Sequence, residues 1–254
     1  MTEPIAADGS RPYDVQYPEA FREFMRQGWL DAPMPVTRHP AADRLARRRA
    51  ALAAAIPGEY LVIPAGTPKI RNNDVFHPFR PGSDFVWLTG ETEAGSVVII
   101  DPDGEATLYI RPHTNRDTDE FYRNAAHGEL WVGRRATLAE KTEELGIRTA
   151  PLADLPEALA RLAPARTRVL RGLDPGVDAA VRRWDGGEPG ARDRELAYTL
   201  AELRLPKDPW EIEQIQQAVD ATVRGFEDVA RVLPADRGVS ERLLEGVFGL
   251  RARQ

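Results

Sequence analysis

Four histidines, His39, His77, His113 and His127, are all the imidazole this chain possesses. A hydrolytic metal centre needs several hard or borderline ligands converging from spaced positions, commonly two or more His or bridging carboxylates. None of the four stands three or four residues from another His or from a helical acid in a zinc-type motif. The most suggestive set is His77 with Asp74 before it and Asp84 after it, which would suit a metal-assisted hydrolase. Phe76, Pro78, Phe79 and Phe85 around His77 favour a packed structural corner instead. His113 and His127 flank an acidic helix and read as surface groups. No G-x-S-x-G elbow supports a serine nucleophile, and neither Ser83 nor Ser96 has the context of an activated hydroxyl. The Gly-x-x-x-x-Gly-Lys-Ser/Thr phosphate cradle is missing too, and Asp185-Gly186-Gly187 lacks a preceding strand. Paired acids such as Asp117 and Asp119, or Glu143 and Glu144, fall on polar helical faces, where chance pairs are expected.

Composition bounds the alternatives. The 254 residues carry 34 Lys+Arg against 40 Asp+Glu, a net charge of −6, with 42% hydrophobic and 29% charged residues, the make-up of an ordinary globular protein. An acidic chain without a Lys/Arg block argues against gripping nucleic-acid phosphates, because that affinity comes from clustered positive charge. Zero cysteines exclude disulfide scaffolds, thiolate zinc sites, iron–sulfur clusters and cysteine nucleophiles. Residues 1–12 have neither the basic start nor the apolar run of a secretory signal. No stretch approaches the ~18 apolar residues that cross a bilayer. A cytoplasmic protein that binds neither nucleic acid nor membrane is expected.

The elements that would position any site divide into three regions. Residues 1–40 read as an N-terminal arm, in which Phe21, Phe24, Met25 and Trp29 recur at helical spacing after Pro18. Such a helix lies on its own domain or a sister subunit, or binds a partner. Residues 41–190 read as an α/β domain. It opens with a helix over Ala41–Ala55 that stops at Pro57-Gly58. The helix's Arg44, Arg47, Arg48 and Arg49 favour a solvated face over a nucleic-acid contact. Strands are expected at Tyr60–Ile63 and Phe85–Leu88. Ser96–Ile100 and Ala106–Ile110 form a hairpin around Asp101-Pro102-Asp103-Gly104-Glu105, which supplies the turn chemistry. Helices at Thr118–Ala126, Thr137–Leu145, Leu155–Leu162 and Val177–Trp184 alternate with strand candidates at Glu129–Val132 and Val169–Arg171. That alternation predicts five or six strands with helices packed on them. Asp185–Asp193 is a polar, Gly-rich linker candidate. Residues 191–254 then turn helical. Asp208-Pro209-Trp210-Glu211 orders an N-cap, a first-turn proline and a capping-box acid before an apolar stripe from Ile212 to Leu233, and Ser240 caps a further helix. Two helices after a linker make no independent core of normal density, so they pack back on the first domain or belong to an incomplete one.

Three segments together resemble the creatinase/aminopeptidase P family, in particular its bacterial Xaa-Pro aminopeptidases. Arg71 to Gly90, with Pro78-Phe79-Arg80, Ser83-Asp84-Phe85 and Leu88-Thr89-Gly90, is similar to the signature P-F-R-x-x-S-D-F-x-x-L-T-G. Arg111-Pro112, Arg116-Asp117 and Glu129-Leu130-Trp131-Val132-Gly133-Arg134-Arg135 resemble the W-x-G-R-R stretch. Glu202 to Asp208, running into Glu211-Ile212, is similar to the E-x-R-x-x-K-x-x-x-E-I segment that opens the family's catalytic domain.

The resemblance covers roughly residues 40–254. It implies a creatinase N-terminal-like, ribonuclease H-like mixed sheet with flanking helices, followed by the first helices of an incomplete pita-bread domain. The family activity it implies is removal of the first residue from peptides with proline in second position. In the family two metal ions, commonly Mn²⁺, are held by two Asp, one His and two Glu. Those ligand segments have no counterpart here, so the chain alone is expected to hold no metal, carry no catalytic residue and be inactive. Substrate contact is expected at Trp131, which the resemblance lets reach a neighbouring subunit's active site in a homo-oligomer, or which packs a strand edge. Arg134 and Arg135 would hold a peptide terminus or an inter-subunit carboxylate, or would be salt-bridged locally. A stand-alone non-catalytic binding or scaffolding module is the alternative.

Overall fold

The computed structural model describes residues 17–27, 35–73, 75–123, 126–185, 190–233 and 238–254. Trp29, Asp74, residues 186–189 of the expected linker, and Pro234 therefore lie outside the described residues. The chain divides into two compact units, one ending at Leu203 and the other beginning at Arg204.

The first unit is built on a mixed sheet of β1 (Tyr60–Pro64), β4 (Val97–Ile100), β5 (Ala106–Ile110), β6 (Arg148–Pro151) and β7 (Thr167–Val169), in the order β6-β5-β4-β1-β7. β4 pairs antiparallel with β1 and β5, while β7 runs parallel to β1 and β6 parallel to β5. The expected hairpin is present. Asp101 Oδ1 accepts the N–H groups of Asp103 and Glu105 at 3.0 and 2.9 Å and shapes its turn. All four residues of β4 are buried. Alternation sends Val98 and Ile100 to one face and Val97 and Ile99 to the other, so both faces must be covered by helices.

On the first face lie α2 (Ala42–Ala55), α3 (Ser83–Thr89), α6 (Leu138–Leu145) and α9 (Ala191–Arg204), through Leu52, Phe85, Leu88, Leu145, Leu196 and Leu200. On the second lie α7 (Leu155–Arg161) and α8 (Pro175–Asp185), through Leu155, Leu159, Val177 and Val181. A two-stranded ribbon, β2 (Ile70–Asn72) with β3 (Val75–Phe76), connects β1 to α3. A third cluster joins α1 (Glu19–Arg26) to α4 (Asp119–Arg123) and α5 (Glu129–Val132): Met25, Phe121 and Tyr122 are buried against Tyr17, Phe21 and Leu130. The arm helix thus packs on its own chain. Asp117 and Asp119 pair with its Arg26 and Arg22, at 3.1 and 2.5 Å.

Several local expectations are corrected. Phe85–Leu88 is helical, because Phe85, Leu88 and Thr89 fall on one buried helical face and Gly90 ends the turn at φ +72°. A Cβ at Gly90 would come within 2.9 Å of Leu45 Cδ1, so the stop requires glycine. Glu129–Val132 is also a single helical turn, not a strand. The last strand is Thr167–Val169 rather than Val169–Arg171, and the ribbon and β6 were not anticipated. The arginines of α2 do not form a wholly solvated face. Arg49 is buried, donating to Leu88 O at 2.8 Å and Gly146 O at 3.2 Å, and burial pushes its guanidinium down to about 10. Arg48 lies 5.1 Å over the Trp87 ring.

β7 is an edge strand, and such an edge needs cover. The start of α9 supplies it. Buried Asp193 accepts the Val169 N–H at 2.8 Å and Arg171 Nε at 2.9 Å. Arg168 on β7 makes a two-pronged bond to Glu59 at 2.8 and 3.0 Å and reaches Glu195 at 2.6 Å.

The second unit holds α10 (Pro209–Val232) and α11 (Glu241–Arg251). The capping box is formed as expected. Asp208 Oδ1 accepts the Glu211 N–H and Glu211 Oε2 the Asp208 N–H, both at 3.0 Å. Ser240 caps α11. The two helices meet where the Phe226 and Phe248 rings lie 5.2 Å apart, while Ile212, Ile215, Val219 and Val223 remain about half exposed. Among the described residues no helix is long and apolar enough to cross a membrane.

The edge-strand ion pairs make a pH prediction. Hydrogen bonds from Arg168, aided by Arg192 and opposed by partial burial, hold the Glu59 carboxyl below its ordinary 4.5. A carboxyl with a depressed folded pKa contributes stability above its unfolded value, and that stability is lost as pH falls through the folded value. The chain should therefore lose stability from about pH 4.5 downward. Glu59→Gln should flatten that part of the curve and lower stability at pH 7 by about 1 kcal/mol, read from urea midpoints. Parallel curves for parent and variant would refute the assignment.

Candidate functional site

The segment from Arg111 to Glu144 gathers the charged and aromatic groups most suited to recognition. Its centre is Glu129, at the first turn of α5, whose side chain is only 2% exposed. Its carboxylate accepts the Thr114 N–H at 2.7 Å and lies 2.8 Å from His113 Nδ1. His113 is therefore turned inward as the partner of a buried acid and is not a surface group. His127 stands 3.9 Å from Glu120, which also takes Arg111 at 2.9 Å.

Held this way, α5 presents Trp131 with its side chain half in solvent. The indole Nε1–H donates to Tyr122 O at 2.8 Å, so the residue is tethered at its polar end while about half exposed. It lies on a helix, not at a strand edge. Arg134 makes a two-pronged bond to Glu140 at 2.8 and 3.1 Å, and Glu140 also closes the capping box of α6 with Thr137. Arg135 donates to Arg111 O at 3.1 Å and pairs with Glu93, and burial pushes its guanidinium down against the raising effect of Glu91. The three expected substrate residues are thus directed to different partners, with Trp131 open and both arginines engaged within the chain.

Sequence reasoning missed Glu91 and Glu129. Glu91 is buried, takes the N–H groups of Thr92 and Glu93 at 2.7 and 3.0 Å, and lies 3.0 Å from Lys141 Nζ. Burial opposes the Lys141 charge, but Glu91 and Glu144 outweigh it and hold that ammonium above its ordinary 10.5. The only signal for Glu129 was an acid placed to start a helical turn two residues before Trp131.

A dinuclear metal centre does not fit the donors among the described residues. Among the described residues no three His, Cys, Asp or Glu side chains gather closely enough to hold an ion. Asp74 of the His77 set is outside the described residues, and His77 itself is exposed rather than packed in a corner.

Residues 45–170 match the family model described as aminopeptidase P, N-terminal domain. Over 238 residues the chain is 44% identical to Xaa-Pro aminopeptidase 1 of Streptomyces coelicolor, covering 91% of this chain and 47% of that protein. It is 43% identical over 237 residues to Xaa-Pro aminopeptidase 2 of the same organism, covering 90% and 48%. Among solved structures, Pseudomonas aeruginosa aminopeptidase PepP aligns with a TM-score of 0.65 at 26% identity, over 87% of this chain and 49% of that one. The low-pH form of Escherichia coli aminopeptidase P shares the fold, with a TM-score of 0.68 at 23% identity over 84% and 49%. The chain spans about half the length of the curated relatives it matches.

Glu129→Ala should test how the site is held. Removing the carboxylate leaves the Thr114 N–H and His113 without their buried acceptor, which should cost about 3 kcal/mol in urea unfolding and loosen the Trp131 turn. A loss below about 1 kcal/mol would show that α5 is held by packing alone.

Proposed function

We propose that this chain, whose residues 45–170 match the aminopeptidase P N-terminal domain, is the assembly and substrate-access portion of a metal-dependent Xaa-Pro aminopeptidase. Such an enzyme removes the first residue from peptides with proline in second position. The hydrolytic centre, with its two manganese ions, belongs in this reading to sequence beyond these 254 residues. No hydrolytic step is assigned to any residue described here. The exposed apolar stripe Ile212, Ile215, Val219 and Val223 on α10 supports the reading, since a surface of that kind suits a helix that other elements of a catalytic domain would cover.

The observation that carries the reading is Trp131. A tryptophan tethered through its indole N–H, half exposed on a turn fixed by a buried glutamate, is built to offer its ring to something outside the fold. In a homo-oligomer that ring walls the peptide site of a neighbouring protomer. Arg134 and Arg135, already bonded to Glu140 and Glu93, serve the substrate by fixing the loop after Trp131, within reach of a peptide's carboxylate.

The test is made on the native product of the source cells, captured with an antibody against residues 60–110, supplied with manganese and assayed on paired tripeptides with proline or alanine in second position. Release of the first residue from the proline peptide alone is expected. Release by the 254-residue chain under the same conditions is not expected. Trp131→Ala in the native-length protein should lower kcat/KM by about tenfold, with Trp131→Phe recovering part of the loss. A native product that leaves the proline peptide intact would overturn the proposal and direct attention to a binding role.

A further inference from the structure

Within the first unit, a cleft of about 380 Å³ lies where three distant stretches of chain converge. These are the residues after β1, the segment from His77 to Gly82 with Lys69 of the preceding loop, and Gly172-Leu173 after β7. The topology dictates its position. β1 and β7 are parallel neighbours, so their carboxyl ends open on the same side of the sheet. From β1 the chain passes to the face where α3 buries Phe85 and Leu88, and from β7 to the opposite face, where α8 buries Val177 and Val181. Adjacent parallel strands whose connections leave toward opposite faces open a crevice beyond their carboxyl ends, the general ligand position of open α/β sheets.

The floor of this crevice is small and fixed. The Ala65 N–H donates to Ser96 O at 2.7 Å, the Gly82 N–H to Ala65 O at 2.8 Å and the Gly95 N–H to Gly66 O at 2.8 Å. Gly66 holds φ +99°, which a side chain would strain, and a Cβ on Gly82 would come within 3.2 Å of Leu173 Cδ1. Above this floor the ionisable lining groups are Lys69, His77 and Arg80, and no carboxylate lines the cleft among the described residues. On a chain of net charge −6, a concave site faced only by basic groups marks a place for an anion. Pro78, Phe79 and Leu173 add an apolar wall, and the volume falls at the small end of ordinary ligand sites, room for one or two residues of peptide.

We propose that this cleft binds the C-terminal carboxylate of a short peptide, with Arg80 and Lys69 on the carboxylate and Phe79 and Leu173 against the last side chain. The site is separate from the Trp131 turn and the inference does not rest on the catalytic reading. It is tested on this chain with a peptide lacking proline, so that its outcome stands apart from the Xaa-Pro proposal.

The experiment is calorimetric titration of the 254-residue chain with Gly-Gly-Leu as the free acid, with its C-terminal amide, and with inorganic phosphate. The free acid should bind. The amide should bind at least about fivefold more weakly, and Arg80→Gln and Lys69→Gln should each weaken the acid by a similar factor. Both side chains are exposed, so unchanged thermal melting will confirm that the variants are folded. Equal binding of acid and amide, or an Arg80→Gln chain that binds like the parent, would overturn the proposal. So would the absence of acid binding up to about 10 mM. Binding of phosphate without the peptide would also overturn it, and would make the cleft a free-anion site.

Discussion

The guanidinium of Arg49 sits where α2, α3 and α6 come together. The last carbonyls of a helix have no intrahelical partner and carry the negative end of its dipole. Leu88 O belongs to the final turn of α3 and Gly146 O follows α6, and Arg49 donates to both from the middle of α2. Packing these helices onto one sheet face would otherwise bury orphan carbonyls, at about 1–3 kcal/mol each. The consequences run outward from this cation. With its end fixed at Gly90, α3 holds the segment that lines the basic cleft. With its end fixed at Gly146, α6 starts at Thr137, where Glu140 closes the capping box and receives Arg134. The same buried group therefore sets the frame of both the basic cleft and the loop after Trp131.

A similar economy governs the acids. Asp193 completes the edge of β7, Glu129 takes the Thr114 N–H, Glu91 takes two successive N–H groups and Asp101 two more. In each case a carboxylate satisfies main-chain donors that the sheet and helices leave over, an arrangement in which the charge strengthens the bond. Among the described residues the buried acids Glu91, Glu129 and Asp193 each accept backbone N–H groups and face a Lys, His or Arg of the same chain.

What could be read from the sequence follows the length of its periodic segments. α2, α10 and the hairpin each carry enough residues for period or turn chemistry to decide, and each stands where expected. Phe85–Leu88 and Glu129–Val132 are four apolar-rich residues apiece, too few to separate period 2 from period 3.6. Their helical state is fixed by flanking glycines, Gly82 and Gly90, Gly128 and Gly133, and by the pocket that receives them. β6, with the sequence Arg-Thr-Ala-Pro, has no strand pattern at all. It pairs because β5 leaves an open edge and because Arg148 bonds Thr107 across the pair. Trp131 was legible through its motif, but its geometry was not. The basic cleft was invisible because its walls come from positions near 65, 80 and 172, joined only by the crossover between β1 and β7.

The exposure of Trp131 is itself a product of remote packing. Its indole N–H is anchored on Tyr122 O, so the indole can be no better placed than Tyr122. The Tyr122 ring is fully buried, 4.9 Å from Phe121, 6.0 Å from Tyr17 and 6.4 Å from Phe21, and its hydroxyl donates to Arg116 O at 2.6 Å. Two of those rings belong to the arm. The ion pairs that accompany them, Arg22 with Asp119 and Arg26 with Asp117, involve acids more than half exposed, where screening leaves little net energy. Aromatic burial, worth far more per residue and indifferent to salt, is therefore what seats the arm helix. The arm, which precedes the matched domain at 45–170, thus supports the orientation of Trp131, and it does so through apolar contact rather than charge.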